Sequence, residues 1–173
     1  MLRILGLTIV VFGFMLALVY LLGYTTNERH QGSMTSIFDD NQTVLWDVLI
    51  STDNIQKKRP KVVDVEILSN NRGLISWKET DKNGSFRMYS MLERTTPKKL
   101  VLEVNASNGG PSGKLTYELF TAQTGTRIVL TEDVKTKSLF IRGLNRIQGD
   151  DINLIREMKS IRVALFQRLL NAR

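Results

Sequence analysis

Cysteine is absent from this chain, and histidine occurs once among its 173 residues. Without cysteine the protein can form no disulfide, use no thiol nucleophile and hold no cysteine-ligated metal. The single histidine, His30, lies in a short polar segment that we expect to be a tether. A Ser-His-Asp arrangement in the globular part is therefore not expected, and histidine-based metal binding is excluded. The sequence predicts no metal, no cofactor and no catalytic residue, and it favours a binding protein over an enzyme without deciding between them.

Other signatures of catalytic and phosphate-binding sites are also missing. The acidic pairs Asp39-Asp40 and Asp150-Asp151 stand at predicted helix starts, where carboxylates cap the helix, and they lack metal-ligand spacing. The glycine-rich stretch 108–113 is not followed by the Gly-Lys-Ser/Thr of a phosphate loop, so we interpret it as a hairpin connection. The formal charge is +7, but the one dense basic cluster, around residues 57–61, carries no nucleic-acid recognition motif. A basic surface or attraction to anionic lipid head groups is favoured over nucleic-acid binding.

A long uncharged run opens the chain. Residues 4–24 consist mainly of Leu, Ile, Val, Phe and Gly, and about 20 such residues in a helix span the hydrocarbon core of a bilayer. The run is longer than the core of a usual signal peptide, and no A-x-A-like cleavage site follows it, although a cleaved signal remains the alternative. We predict a single-pass membrane anchor over 1–24, a tether over 25–32 and a globular domain over 33–171. Arg3 favours a cytoplasmic amino terminus and an extracytoplasmic domain.

The last stretch, 150–170, has the period of an amphipathic helix of roughly 20 residues. By helical angle its apolar face contains these residues: Leu154, Ile155, Met158, Ile161, Leu165, Phe166 and Leu169. The same angles assign Glu157, Gln167 and Arg168 to the other side. Such a stripe cannot remain exposed to water, so another part of the chain must cover it.

The middle of the chain has the period of two that is typical of strands. A first strand around Met34 and Phe38 precedes a helix over 42–50 and a helical turn over 51–57. About six strands follow, joined by short turns such as 70–73 and 81–84, and a helical lead-in over 138–147 precedes the final helix. Connections this short require antiparallel pairing. We therefore predict an α+β fold in which a curved antiparallel sheet wraps around the long C-terminal helix.

That order resembles the helix-grip fold of the START-like (SRPBCC) superfamily, and in particular its polyketide cyclase/dehydrase and lipid-transport family. The resemblance covers about residues 35–170 and rests on five segments: 42–49 (QTVLWDVL), Pro60 with 62–66 (VVDVE), 93–100 (ERTTPKKL), 113–119 (GKLTYEL) and 125–132 (GTRIVLTE). The chain departs from the family where an aromatic residue usually precedes a proline, since Lys57-Lys58-Arg59 stands before Pro60.

The resemblance implies a cavity that holds an apolar ligand between the sheet and the C-terminal helix. The residues expected to line it are Trp46, Trp77, Met88, Leu102, Tyr117, Met158 and Arg162. Ordinary core packing is the alternative for the aromatic and methionine side chains. For Arg162, the guanidinium could read the polar head of a ligand, or it could extend to the helix edge and pair with a carboxylate.

Three functions follow from these expectations. The first is membrane-anchored binding or transport of a hydrophobic small molecule such as a lipid or isoprenoid. The second is a cyclase-type enzyme acting on a hydrophobic substrate, for which an inward carboxylate with a strongly raised pKa would be the sign. The third is a non-catalytic module that binds another envelope protein, for which a solid core would be the sign. The oligomeric state does not follow from the sequence.

Overall fold

The computed structural model describes residues 2–52 and 55–171, which form five helices and seven strands. Residues 53 and 54, within the predicted turn over 51–57, and Met1 of the predicted anchor lie outside the described residues. The elements are, in order, α1 (Leu2–Thr25), β1 (Arg29–Phe38), α2 (Gln42–Ile50), α3 (Ile55–Lys58), β2 (Val62–Asn71), β3 (Leu74–Asp81), β4 (Phe86–Thr95), β5 (Lys99–Ala106), β6 (Pro111–Thr121), β7 (Thr126–Thr136), α4 (Leu139–Gln148) and α5 (Ile152–Asn171).

The seven strands form one antiparallel sheet in the order β1-β7-β6-β5-β4-β3-β2. Register shifts in the β2–β3 and β4–β5 pairs mark bulges, which bend and twist a sheet locally. The concave face carries the buried core and α5 packs against it. The predicted α+β helix-grip architecture is confirmed.

The first strand begins earlier than predicted. β1 pairs with β7 along its whole length, from Arg29 opposite Lys135 to Phe38 opposite Thr126. Residues 29–32, expected to belong to a tether, are therefore part of the sheet, and only residues 26–28 connect α1 to it. The inward positions at this end are His30 and Gly32, which lack the aliphatic side chains that make a strand visible in a hydrophobicity pattern.

α5 presents a different face to the core from the one predicted. Leu154, Met158, Ile161 and Leu165 are buried as expected, but Glu157 and Ala164 are buried with them. Three residues assigned to the apolar face are exposed instead, namely Ile155 (49%), Phe166 (62%) and Leu169 (60%). Glu157 follows Leu154 by three residues and precedes Ile161 by four, so it lies on their face of the helix. The buried face of α5 is therefore rotated toward Glu157, which the helical angles had assigned to the solvent side.

α1 includes the stretch Gly6–Thr25, which has a mean hydropathy of 2.3 and is long and apolar enough to cross a membrane. Its last turns pack against α4. A Cβ atom on Gly23 would overlap the Leu139 carbonyl, and one on Gly143 would overlap the Val19 carbonyl. The two glycines therefore let the helix backbones approach closely at two places.

The connection between α2 and β2 carries the residue on which the site depends. α2 coincides with the predicted helix over 42–50, and its first turn is capped by the Asn41 side chain, which accepts from the Val44 backbone N–H at 2.9 Å. α3 then ends in a further backbone hydrogen bond, from Arg59 N–H to the Ile55 carbonyl at 2.8 Å. This bond and Pro60 direct Arg59 from the last turn of α3 toward the concave face of the sheet.

Candidate functional site

Five of the residues predicted to line a cavity meet in the interior between sheet and helix. Trp46 of α2, Trp77 of β3, Leu102 of β5, Tyr117 of β6 and Met158 of α5 are all at most 5% exposed and belong to one buried cluster. The structure thus brings together side chains that are up to 112 positions apart in the sequence. Their placement fits both interpretations given above, the lining of a ligand site and core packing.

The other two predicted residues do not face this interior. Met88 is 37% exposed, because it lies between Arg87 and Tyr89 on a strand whose inward residue is Tyr89. Arg162 is exposed on the surface of α5, where its Nη2 donates to Ser36 Oγ at 3.0 Å. Its guanidinium carbon lies 5.8 Å from the centre of the Phe38 ring. Arg162 therefore covers the β1 edge of the interior from outside, since the buried face of α5 is turned away from it.

The polar centre of the interior is Arg59. Its Nη1 donates to both carboxylate oxygens of Glu79 at 2.7 Å, and its Nη2 donates to Oε2 of Glu157 at 2.6 Å. Nη1 also donates to the Tyr89 hydroxyl at 3.1 Å. One guanidinium thereby joins the α3–β2 connection to the sheet and to α5. Charge-assisted bonds of this geometry are stronger than neutral ones.

Local sequence explains why two carboxylates point inward. Trp77 and Glu79 are two residues apart on β3, so both side chains leave the same face of the strand. The Trp77 indole N–H donates to Glu79 Oε1 at 2.9 Å, which holds this carboxylate beside Arg59. Glu157 lies on the buried face of α5, and the Tyr117 hydroxyl is 3.4 Å from its Oε2.

Aromatic rings form the wall behind these charges. The Trp77 and Tyr89 rings are stacked, with centroids 5.0 Å apart and planes inclined by 12°. The Arg59 guanidinium carbon lies 5.2 Å from the centre of the Tyr89 ring. Stacked aromatic rings with a cation over one face are a favourable arrangement when water is excluded. The wall gives Arg59 a fixed orientation.

Burial and neighbouring charges together set the pKa values of the titrating groups in this cluster. Burial tends to lower the pKa of Arg59, but Glu157, Tyr89 and Glu79 outweigh it, and the pKa is raised well above its usual value. Burial raises the pKa of Tyr89, and burial together with the charge of Glu157 raises the pKa of Tyr117 well above its usual value. The guanidinium is therefore charged and both phenols are protonated at neutral pH. Tyr117 can donate a hydrogen bond but cannot act as a base.

The Arg59 side chain is 22% exposed, whereas those of Glu79 and Glu157 are 3% and 11% exposed. The arginine thus reaches in from the surface and closes the interior over the two carboxylates. Chemically the cluster offers phenol and guanidinium donors to a polar group, beside the apolar surface of Leu102 and Met158. It includes no histidine, and each carboxylate already accepts from Arg59.

Sequence reasoning missed Arg59, Glu79 and Glu157. A signal existed for each. Glu79 continues the inward alternation of Ile75 and Trp77, and Glu157 has the helical spacing of Leu154 and Ile161. Arg59 occupies the place where the chain departs from the family pattern before Pro60. Hydrophobicity patterns assign charged residues to the surface, so none of these signals was decisive.

No protein-family model matches the sequence, and no curated protein is similar to it in sequence. Solved structures are similar to it in fold. The aromatase/cyclase Zhui from Streptomyces sp. R1128 has a TM-score of 0.64 at 14% identity, covering 84% of this chain and 96% of its own. Ara h 8.0201 has a TM-score of 0.60 at 14% identity, covering 79% and 98%.

The di-domain ARO/CYC StfQ from the steffimycin biosynthetic pathway has a TM-score of 0.63 at 10% identity, covering 79% of this chain. The chain spans 50% of StfQ, about half of that two-domain protein. A shared fold does not by itself transfer an activity, and identities this low establish the fold alone. The chain has a helix-grip fold.

Proposed function

We propose that this protein binds a hydrophobic small molecule with a polar end, of the lipid or isoprenoid class, in the interior between the sheet and α5. The observation that carries the proposal is the position of Arg59. Its guanidinium lies among phenol and carboxylate groups beside the buried apolar cluster that includes Trp46, Leu102 and Met158. Ligand sites of this kind combine apolar walls with a few convergent polar groups. Neighbours named as aromatase/cyclases share the fold, which is compatible with this proposal.

Arg59 also suggests the route into the interior. It is the partly exposed member of the cluster, and it follows a helix of four residues rather than a long rigid element. Displacement of α3 would withdraw the guanidinium and open a path between β2 and α5. A ligand carbonyl, hydroxyl or phosphate could then accept from Arg59, Tyr89 or Tyr117 in place of a carboxylate. The bound state would keep the polar end at the mouth and the apolar part inside.

We propose that α1 holds this domain at a membrane. Only 6% of the most apolar window within Gly6–Thr25 is buried against the rest of the chain, as expected of a lipid-facing span. We assign it as an uncleaved anchor, with the amino terminus in the cytoplasm and the domain outside. A carrier held at the bilayer meets its lipid ligand at a high local concentration.

Native mass spectrometry of the full chain in nanodiscs, followed by organic extraction, tests the proposal. We expect a reproducible co-purifying lipid or isoprenoid. Met158→Phe, which adds volume inside, should reduce its amount at least about tenfold, whereas Met88→Phe on the outward face of β4 should leave it unchanged. A protein that carries no ligand and also binds none from a lipid panel would contradict the proposal and favour a protein-interaction module.

A cyclase-type enzyme is the second candidate, because Glu79, Glu157, Tyr89 and Tyr117 converge in one interior. The extracted compound distinguishes the two. Incubation with fresh protein should leave a carried ligand unchanged in mass, and an enzyme would convert it. Glu157→Gln should abolish such conversion while the compound still binds.

A further inference from the structure

A cavity lies outside the grip interior, where α1 meets the domain. It has a volume of about 360 Å³ and is bounded by the end of α1, the start of β1, the end of β7, α4 and the start of α5. The side chains that line it are mostly polar or charged, among them His30, Glu132, Arg142, Asn145 and Asn153. The volume is at the lower end of the roughly 300–1,000 Å³ typical of small-molecule sites. It therefore suits a small polar group.

Glu132 is the buried carboxylate of this cavity, whose lining also includes Glu28 and Asp150. It is 2% exposed on the inward face of β7, and its Oε1 is buried without a hydrogen-bond partner in the described part of the chain. His30 Nε2 is 3.6 Å from this oxygen and likewise has no partner among the described residues. His30 Nε2 is also 3.6 Å from Asp151 Oδ1. A buried carboxylate oxygen in this state lacks the donor that such groups normally have.

Arg142 is the positive group. Its Nη1 donates to the Thr26 carbonyl at 3.0 Å, and Glu28 is at the 4.0 Å limit of an ion pair. Its Nε is buried and has no partner among the described residues. The other two arginines at the cavity have close carboxylates, with Arg29 2.6 Å from Asp133 and Arg146 2.8 Å from Asp150. Arg142 therefore retains capacity for a further anion.

We infer that this cavity binds a small zwitterion that carries a primary ammonium and a phosphate, which is the chemistry of phosphoethanolamine. The ammonium would donate to Glu132 Oε1, with His30 Nε2 as a further acceptor. The phosphate would accept from Arg142 Nε, with the Asn145 amide on the same wall. One ligand would thus supply both missing partners. The source is either a free phosphoethanolamine or an aminophospholipid head group, and the end of α1 at the cavity is compatible with the latter.

His30 makes the test direct, because it is the chain's single histidine and lies in the cavity. The full chain, labelled with ¹⁵N-histidine, is placed in phosphatidylcholine nanodiscs and observed by NMR. We expect a saturable shift of the His30 imidazole signals when free phosphoethanolamine is added, or when phosphatidylethanolamine is included in the disc. A response to free phosphoethanolamine means that the soluble compound is enough for binding. A response to phosphatidylethanolamine alone means that the ligand is the lipid head group. Phosphocholine should have a much weaker effect, because its quaternary ammonium has no N–H to donate.

Substitutions of the lining residues test whether the NMR response arises from binding in this cavity. Glu132→Gln and Arg142→Gln should each weaken binding at least about tenfold, whereas Glu118→Gln on the neighbouring β6, outside the lining, should leave it unchanged. In a uniformly ¹⁵N-labelled sample of each variant, the dispersion of backbone amide signals reports whether the variant is folded, and Arg142→Gln preserves the test if Glu132→Gln is not. No His30 response from either source would overturn the inference. A response that is equally strong in folded Glu132→Gln and Arg142→Gln, or equally strong with phosphocholine, would also overturn it.

Discussion

Arg59 joins parts of the molecule that are far apart in the sequence. Its carboxylate partners are 20 and 98 residues away, on β3 and α5. A buried ion pair gives limited net stability, because desolvation of the charges offsets much of their attraction. Loss of one partner has a larger effect, since the remaining charge stays buried without compensation. The side chain of Arg59 is therefore expected to matter more for stability than its partial exposure suggests.

Arg59→Leu should reduce the free energy of unfolding by about 3–5 kcal/mol, because Glu79 and Glu157 would both lose their guanidinium. Arg162→Leu, at the exposed arginine of α5, should reduce it by less than about 1 kcal/mol. Urea titrations of the full chain in detergent, followed by the fluorescence of the buried Trp46 and Trp77, measure both. Equal losses for the two variants would refute the assigned role of Arg59.

Glu132 should make stability depend on pH. Burial raises its pKa in the folded protein above the ordinary value of 4.5. The folded state consequently binds this proton more tightly than the unfolded state does, and stability falls as the pH rises from 4.5 through the folded pKa. We expect this fall to disappear in Glu132→Gln and to persist in Glu118→Gln, as measured by urea midpoints between pH 4 and pH 8. A wild-type midpoint that rises steadily over this interval, with an unchanged slope in Glu132→Gln, would contradict the assignment.

At the scale of elements, α5 shows what a hydrophobic periodicity can predict and what it cannot. The pattern correctly predicted a long helix against the sheet and four of its buried residues, because aliphatic side chains recur every three to four positions. It did not fix the rotation of the helix. Phe166 and Leu169 are apolar yet exposed, and Glu157 is charged yet buried, because Arg59 from a distant segment provides its partner. An ion pair with a distant segment does not appear as a periodic pattern in the sequence of the helix.

The rotation of α5 can be tested by making one substitution on each face. Leu154→Ala should lower the free energy of unfolding by about 2–5 kcal/mol, since Leu154 is fully buried. Leu169→Ala, at a position 60% exposed, should lower it by less than about 1 kcal/mol. Both are measured by urea titration of the full chain in the same detergent. If α5 instead presented the face predicted from the sequence, both substitutions would lower the free energy of unfolding by similar amounts.

For the whole molecule, the order of elements followed from the sequence, whereas its polar interior did not. Runs of alternating hydrophobicity and short turns predicted the strands and their antiparallel pairing, and the helix over 42–50 had clear limits. The structure had to provide the convergence of Glu79, Glu157 and Arg59, because it depends on three elements meeting. The extension of β1 to Arg29 could not be predicted either. Residues 29–32 belong to the strand because they pair with β7, and not because they are apolar.

The anchor assignment predicts an intact amino terminus. Protein isolated from membranes should have the mass of the full chain and retain residues 1–24, as read by intact-mass spectrometry. The contact of Gly23 with Leu139 and of Gly143 with Val19 gives a physical reason, because removal of α1 would uncover that face of α4. A species that begins near Thr25 would identify a cleaved signal peptide instead.

The pairing of β1 with β7 has a consequence for biosynthesis. β1 is made directly after α1, but its hydrogen-bonding neighbour ends at Thr136, about 100 residues later. Non-local pairing of this kind is slow, and β1 remains an unpaired edge in the meantime. If α1 is held in a bilayer, as proposed, the growing sheet must return to the membrane surface before β1 and β7 can pair. A ribosome stalled anywhere before β7 would therefore leave a tethered and open sheet, which is a ready substrate for quality-control proteases at the membrane.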